Sequence, residues 1–177
     1  EEPELYDMVA GLAERARLPM PKLYLLPPPD PNAFATGRDP AHAAVAVTQG
    51  LLQLMPPDEV RAVIAHELGH VANRDTLISA IAASMAGAIS MLANIAQWGM
   101  IFGGRSDDDR NPIADLLAIF LAPIAAMLIQ MAVSRSREYA ADAYAAQLVG
   151  TADPLARALR RLEAGVASIP SDATPAT

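Results

Sequence analysis

The residues of this chain best suited to chemistry are two histidines four apart with a glutamate beside the first. His66-Glu67-Leu68-Gly69-His70 has the pattern H-E-x-x-H. On a helix, positions four apart lie about 40° apart around the axis with Cβ atoms roughly 5–6 Å from each other, so both imidazoles can reach one ion. Glu67 is turned about 100° from His66, so it need not ligate and can take a proton from an attacking water. A metal held by imidazole with a carboxylate base beside it is the equipment of a metal-dependent peptidase. The plainer reading is a hydrogen-bonded histidine pair and a solvated surface acid.

Composition narrows the metal. The chain has no cysteine, so neither a thiolate site nor a disulfide framework is possible, and His42 is the only further histidine. Zinc is the default ion, because imidazole and carboxylate suit it and hydrolysis needs no redox change. Catalytic zinc takes three protein ligands and keeps one position open, so a third ligand is required. Arg135-Ser136-Arg137-Glu138-Tyr139-Ala140-Ala141-Asp142 offers two acids, Glu138 and Asp142, on one helix face. Spacing alone leaves both open, and Glu138 has a second reading as an ion-pair partner of Arg135 or Arg137.

These groups need elements to hold them. With 177 residues, 53% of them apolar, the chain suits one domain, read here as 1–168, with a frayed Pro/Ser/Thr/Ala tail at 169–177. Leu5, Met8, Val9 and Leu12 recur at helical spacing from Pro3 to Ala16. Lys22 to Leu26 reads as a strand, Pro27 to Pro31 as a rigid turn, and Ala43 to Thr48 as a second strand, enough for a small sheet. Pro56-Pro57-Asp58-Glu59 has the composition of a helix start. Val60, Ile64, Leu68 and Val71 then form an apolar stripe, so a helix from Pro57 to about Asn73 carries the histidine pair.

Thr76 to Gly104 is 29 residues without a charge and Leu116 to Ser134 another 19, separated by a polar loop with Asp107-Asp108-Asp109. As helices these would be about 43 Å and 28 Å long, against a bilayer core of about 30 Å. Both can span a membrane; Asn94, Gln97, Gln130 and the alanine and serine content keep open a buried hairpin in a soluble domain. Either hairpin, inserted at about 76–134, returns the chain so that groups before Asp75 can meet groups after Arg135. Arg74, Arg135 and Arg137 flank the catalytic side while the loop is acidic, which places that side in the cytoplasm. Beyond lie a helix from Arg137 to Val149 and another starting at Asp153-Pro154, with Leu155, Leu159 and Leu162 on one side. The start Glu1-Glu2-Pro3, with no initiator methionine and no basic n-region, reads as an excised piece of a longer protein. A formal charge of −7 without a sizeable basic cluster sets nucleic-acid partners aside.

The helix H-E-L-G-H at 66–70, followed by S-R-S-R-E-Y-A-A-D at 134–142, resembles the HtpX-type family of membrane-anchored zinc metalloproteases, of the gluzincin clan that includes thermolysin. The resemblance runs from about Leu23 to Leu162 and takes in Asn32-Ala33-Phe34-Ala35-Thr36-Gly37. It implies that Glu138 is the third zinc ligand and that Asp142 orients a ligand histidine. It further implies that Asn32, Ala33 and Phe34 lie along the cleft, where asparagine and a sheet edge bind substrate backbone by β-augmentation; the residues alone would make Asn32 and Gly37 turn formers. The implied activity is zinc-dependent hydrolysis of polypeptides, misfolded membrane proteins in envelope quality control, by an enzyme of the inner membrane whose catalytic domain faces the cytoplasm. No late histidine follows His70, and Tyr139, Tyr144, Arg137 and His42 are the candidates for stabilising the oxyanion.

The expected architecture is α+β: a zincin-like domain, mostly helical, with a small sheet and an inserted hydrophobic helical hairpin. Two rivals are a catalytically silent zinc-binding membrane scaffold and a soluble peptidase whose hairpin is a lid or dimer interface.

Overall fold

The structure is a computed structural model, and it describes residues 2–102 and 112–167. Proline in its first turn starts α1 (Pro3–Ala16), which buries Leu5, Val9 and Leu12 and ends where Arg17 turns left-handed at φ 54°. A sheet of three strands follows, in the order β1 (Lys22–Leu26), β3 (Ala44–Thr48), β2 (Ala33–Thr36). β1 runs parallel to β3 and β2 antiparallel to it, with Ala33 opposite Val47 and Ala35 opposite Val45. The sequence predicts two strands, and β2 is the addition. Ala33-Phe34-Ala35-Thr36 alternates alanine with the strand formers Phe34 and Thr36 over only four residues, too short a signal by itself, and it is a strand by pairing with β3.

Thr48, buried at the end of β3, organises the next stretch. Its hydroxyl accepts from Leu51 N, capping the short α2 (Gln49–Leu54), and it accepts from Asn32 N at 2.8 Å while donating toward the carbonyls of Asp30 and Asn32. One side chain thereby ties the proline-rich turn to the sheet and sets where Asn32 sits.

α3 (Pro57–Ala72) lays Val60, Ile64 and Leu68 into one core with Leu12, Val45, Val47 and Leu51, whereas Val71 is only partly buried. α6 (Asp153–Ala167) joins this core through Leu155 and Ala158. It is pinned to α3 by Arg161, which donates to both oxygens of Glu59 at 2.7 and 3.1 Å. Glu59 is 1% exposed, and the Arg161 guanidinium holds its carboxyl below the usual range against the opposing effect of burial.

Contacts divide the described residues into two units, one from residues before Leu77 and after Glu138, the other Leu77–Glu138. In the second, α4 (Asp75–Phe102) and the leading part of α5 (Pro112–Val149) carry apolar side chains that point outward: Met85, Ile89, Leu92, Trp98, Leu121 and Leu128 are each more than half exposed. The stretch Asp75–Leu92 is long and apolar enough to cross a membrane, and only 6% of it is buried. Arg137 bridges α5 to Ser79 of α4. The expected separate helices at 116–134 and 137–149 are one continuous helix, because Arg135-Ser136-Arg137 changes polarity without introducing a helix breaker. The acidic loop with Asp107 to Asp109 and the tail at 169–177 lie outside the described residues.

Candidate metal centre

His66 and His70 stand one turn apart on α3 with side chains 18% and 21% exposed, and their Nε2 atoms face each other at 3.1 Å. Each Nδ1 has a carboxylate beside it: Asp75 Oδ2 lies 2.6 Å from His70 Nδ1, and Asp142 Oδ1 lies 2.9 Å from His66 Nδ1. A ring nitrogen against a carboxylate is the one that carries the proton, which leaves both Nε2 atoms as lone pairs. Two lone pairs at that separation repel, and a shared cation removes the conflict. Nitrogens bound to one tetrahedral zinc at about 2.0–2.1 Å would stand roughly 3.3–3.4 Å apart, close to what the fold sets up. Glu138 supplies a carboxylate on α5, and the ligand atoms of His66, His70 and Glu138 all lie within 4.8 Å of one another. The donor set, two imidazoles and a carboxylate, suits zinc.

Two backbone features make this arrangement possible. Arg74 adopts φ 56°, a left-handed turn just after the end of α3, and the reversal brings Asp75 back against His70. Gly69 passes close to α5: a Cβ there would stand 3.1 Å from Ala141 Cα and 3.3 Å from its carbonyl oxygen. Glycine at this point of H-E-L-G-H therefore lets α5 approach, and the residue after Ala141 is Asp142.

Asp75 is the site residue that sequence reasoning missed. Its only signal is an acid five residues past His70, at the boundary where the apolar run begins. It is 7% exposed, drier than Asp142 with its side chain 46% exposed.

Glu67 projects toward the sheet, where its Oε2 accepts from the backbone N–H of Ala35 at 2.9 Å. β2 is an edge strand, so this N–H belongs to the edge not paired with β3. Asn32 and Ala33 line a cavity of about 140 Å³ together with His66 and Glu67, while Phe34 is 44% exposed. Of the candidates for oxyanion stabilisation, Tyr144 turns its hydroxyl to the carbonyl of Ala16 at 3.5 Å and burial pushes its pKa up. His42 packs against Asp39 and Arg38, Arg137 donates to Ser79, and Tyr139 is 73% exposed.

Comparison with known proteins agrees with this geometry. Residues 1–172 match the profile described as Peptidase family M48. The chain is 55% identical over 179 residues to a "Protease HtpX homolog" of Nostoc punctiforme, covering 99% of this chain and 62% of that protein. It is 54% identical over 180 residues to a "Protease HtpX homolog" of Pelotomaculum thermopropionicum, covering 99% and 64%. The chain thus spans under two thirds of the length of these relatives. Among solved structures, Ste24p of S. mikatae superposes with a TM-score of 0.65 at 25% identity, over 94% of this chain and 43% of that one. The chain belongs to peptidase family M48.

Proposed function

We propose that this chain is the catalytic domain of a zinc-dependent endopeptidase, with His66, His70 and Glu138 as ligands and Glu67 as the base. The observation that carries the reading is the pair of Nε2 atoms 3.1 Å apart, each imidazole with an aspartate oxygen beside its Nδ1, next to a Glu67 carboxylate that accepts from the Ala35 N–H. Zinc, when bound, polarises the scissile carbonyl and makes water acidic enough to attack near neutral pH. Glu67 receives the proton of that water and passes it to the leaving amine. The Ala35 N–H steadies one of its carboxylate oxygens for this exchange. Asp75 and Asp142 hold the imidazoles in the tautomer that ligates. Asn32, Ala33 and Phe34, with the open edge of β2, take the substrate as an added strand.

The outward-facing apolar side chains of α4 and α5 favour a membrane-anchored enzyme over one with a buried hairpin. Polypeptides are the substrates, misfolded membrane proteins in particular, and the enzyme serves envelope quality control at the inner membrane with its catalytic domain on the cytoplasmic side, the side on which Arg74, Arg135 and Arg137 flank the apolar runs of the sequence. A silent zinc scaffold has no use for a base next to the ligands.

The test is zinc content and peptide cleavage of the full-length protein, comparing wild type with Glu67→Ala and Glu138→Ala. The expected result is stoichiometric zinc in wild type and Glu67→Ala, cleavage in wild type alone, and zinc loss in Glu138→Ala. Full zinc retention in Glu138→Ala would remove the third ligand from the scheme, and cleavage by Glu67→Ala at the wild-type rate would remove the base.

A further inference from the structure

The chain carries a formal charge of −7, yet the exposed side chains around the start of its apolar span are largely cationic. The stretch able to cross a membrane begins at Asp75. The loop from β2 to β3 lies beside that point, because Thr36, Gly37, Asp39 and Ala43 share a cavity with Arg74 and Thr76. The loop is tightly built. Gly37 adopts φ 138°, and a Cβ there would stand 2.5 Å from the carbonyl oxygen of His42. Asp39 caps the 3-10 turn at Pro40–His42 by accepting from the His42 N–H at 3.0 Å, and the same carboxylate meets His42 Nδ1 at 2.7 Å. This frame presents Arg38 outward, with its side chain 73% exposed. Its Nε donates to Asp39 at 3.2 Å and one Nη lies 3.0 Å from His42 Nε2, which engages two of the five guanidinium N–H groups and leaves the head able to take an anion. Arg74 is exposed, and so is Lys22, whose backbone N–H donates to the Ala43 carbonyl at the end of the same loop. The acids here are Asp39, already engaged by Arg38 and His42, and Asp75, which is 7% exposed and turned to His70.

We propose that the loop at 37–43, with Arg38 and Arg74 as its principal cations, rests on the surface of the bilayer that α4 enters and binds the phosphates of anionic phospholipids there. The proposal rests on the membrane-anchored reading above and adds the surface through which the loop is held to the lipid. The occupant follows from place and from charge complementarity. A loop packed against the first residues of a membrane span lies at headgroup depth, where an anionic leaflet attracts arginine and lysine. A planar guanidinium can grip phosphate through two oxygens at once. The contact matters for the cleft, because β2 ends at Thr36, directly before the loop. Lipid contact therefore fixes one end of the open strand edge at the membrane surface, and a segment drawn out of the bilayer meets that edge first. The cavity behind the loop also reaches His70 and Val71 of α3, so the lipid contact and the metal centre share one support.

The test uses the full-length protein in nanodiscs, with a bimane label on Ala41→Cys, an exposed position of the loop, and any other cysteine replaced by serine. The discs hold either phosphatidylcholine alone or a mixture with phosphatidylglycerol, each with a headgroup nitroxide lipid as quencher. A basic residue near an anionic surface is worth roughly fivefold in the contact equilibrium. Quenching is expected to be stronger in the phosphatidylglycerol discs and to decline at high salt. The contact equilibrium read from it should fall about fivefold in Arg38→Gln and further when Arg74→Asn is added, asparagine being chosen because it tolerates the left-handed backbone at φ 56°. Equal quenching in the two lipids, or quenching that both variants leave unchanged, overturns the proposal. A second label on Met85→Cys, inside the apolar span, separates this from the reading beneath it. Quenching at Met85→Cys by an acyl-chain nitroxide, with none at Ala41→Cys, overturns the loop contact alone. No quenching at Met85→Cys overturns the membrane-anchored reading itself.

Discussion

Replacing Asp75 by asparagine should weaken zinc binding more than the same change at Asp142. Both aspartates stand against a ligand-histidine Nδ1, yet the Asp75 contact is shorter, 2.6 against 2.9 Å, and its side chain is 9% exposed against 46%. A charge-assisted hydrogen bond is stronger where water screens it less. Losing the carboxylate behind a ligand histidine costs roughly 10–100-fold in metal affinity, or about 1.4–2.8 kcal/mol. The dry, well-directed Asp75 contact belongs near the upper end of that range and the half-open Asp142 contact near the lower. Asparagine keeps the size of the side chain and an acceptor for the Nδ1–H, so the difference reports charge rather than packing. The assay is competition for zinc with a chromophoric chelator at pH 7.5, with circular dichroism to establish that both variants fold. Equal losses, or a larger loss for Asp142→Asn, would refute the argument that burial decides which aspartate matters.

Gly69→Val should drive α5 away from α3, because the atoms its Cβ meets are the backbone and Cβ of Ala141 and cannot rotate aside. The expected cost is about 1–3 kcal/mol of stability, seen as a lower melting temperature, together with weaker zinc binding as Asp142 withdraws from His66. Unchanged melting and zinc affinity would mean that α5 has slack at Ala141. The Glu59–Arg161 bond predicts a pH dependence: a carboxyl whose pKa is lowered on folding adds stability above its unfolded pKa, near 4.3, and that stability is lost as pH falls through the lowered folded value. Urea midpoints measured from pH 7 to pH 3 should therefore fall more steeply on acidification for wild type than for Glu59→Gln, and parallel curves would show that the bond contributes no such linkage.

Much of the architecture was legible because its signals are local. Helix starts at Pro3, Pro57 and Asp153 are announced by proline and acids in the first turn, and β3 by a run of alternating valines. β2 and α2 were not legible, since their conformations come from partners: β2 from pairing to β3, α2 from the Thr48 cap at the strand's end. The continuity of α5 was missed for a different reason. A change from apolar to charged residues looks like an element boundary, whereas a helix needs only that nothing in it breaks the hydrogen-bond ladder.

For the site, the sequence by itself determined the histidine pair and its neighbouring carboxylate, because the pitch of a helix converts a spacing of four into a shared direction. It also determined that any further ligand had to be histidine or carboxylate, since the chain contains no cysteine. Tertiary structure alone decided that Asp75 stands behind His70, that the Ala35 N–H holds Glu67, and that three leucines of α6 wall a cavity beside it. Those relations join positions up to about a hundred residues apart, and they depend on a left-handed turn at Arg74 and a close passage at Gly69. Distances of that kind are fixed when the helices pack, and no spacing along the chain encodes them.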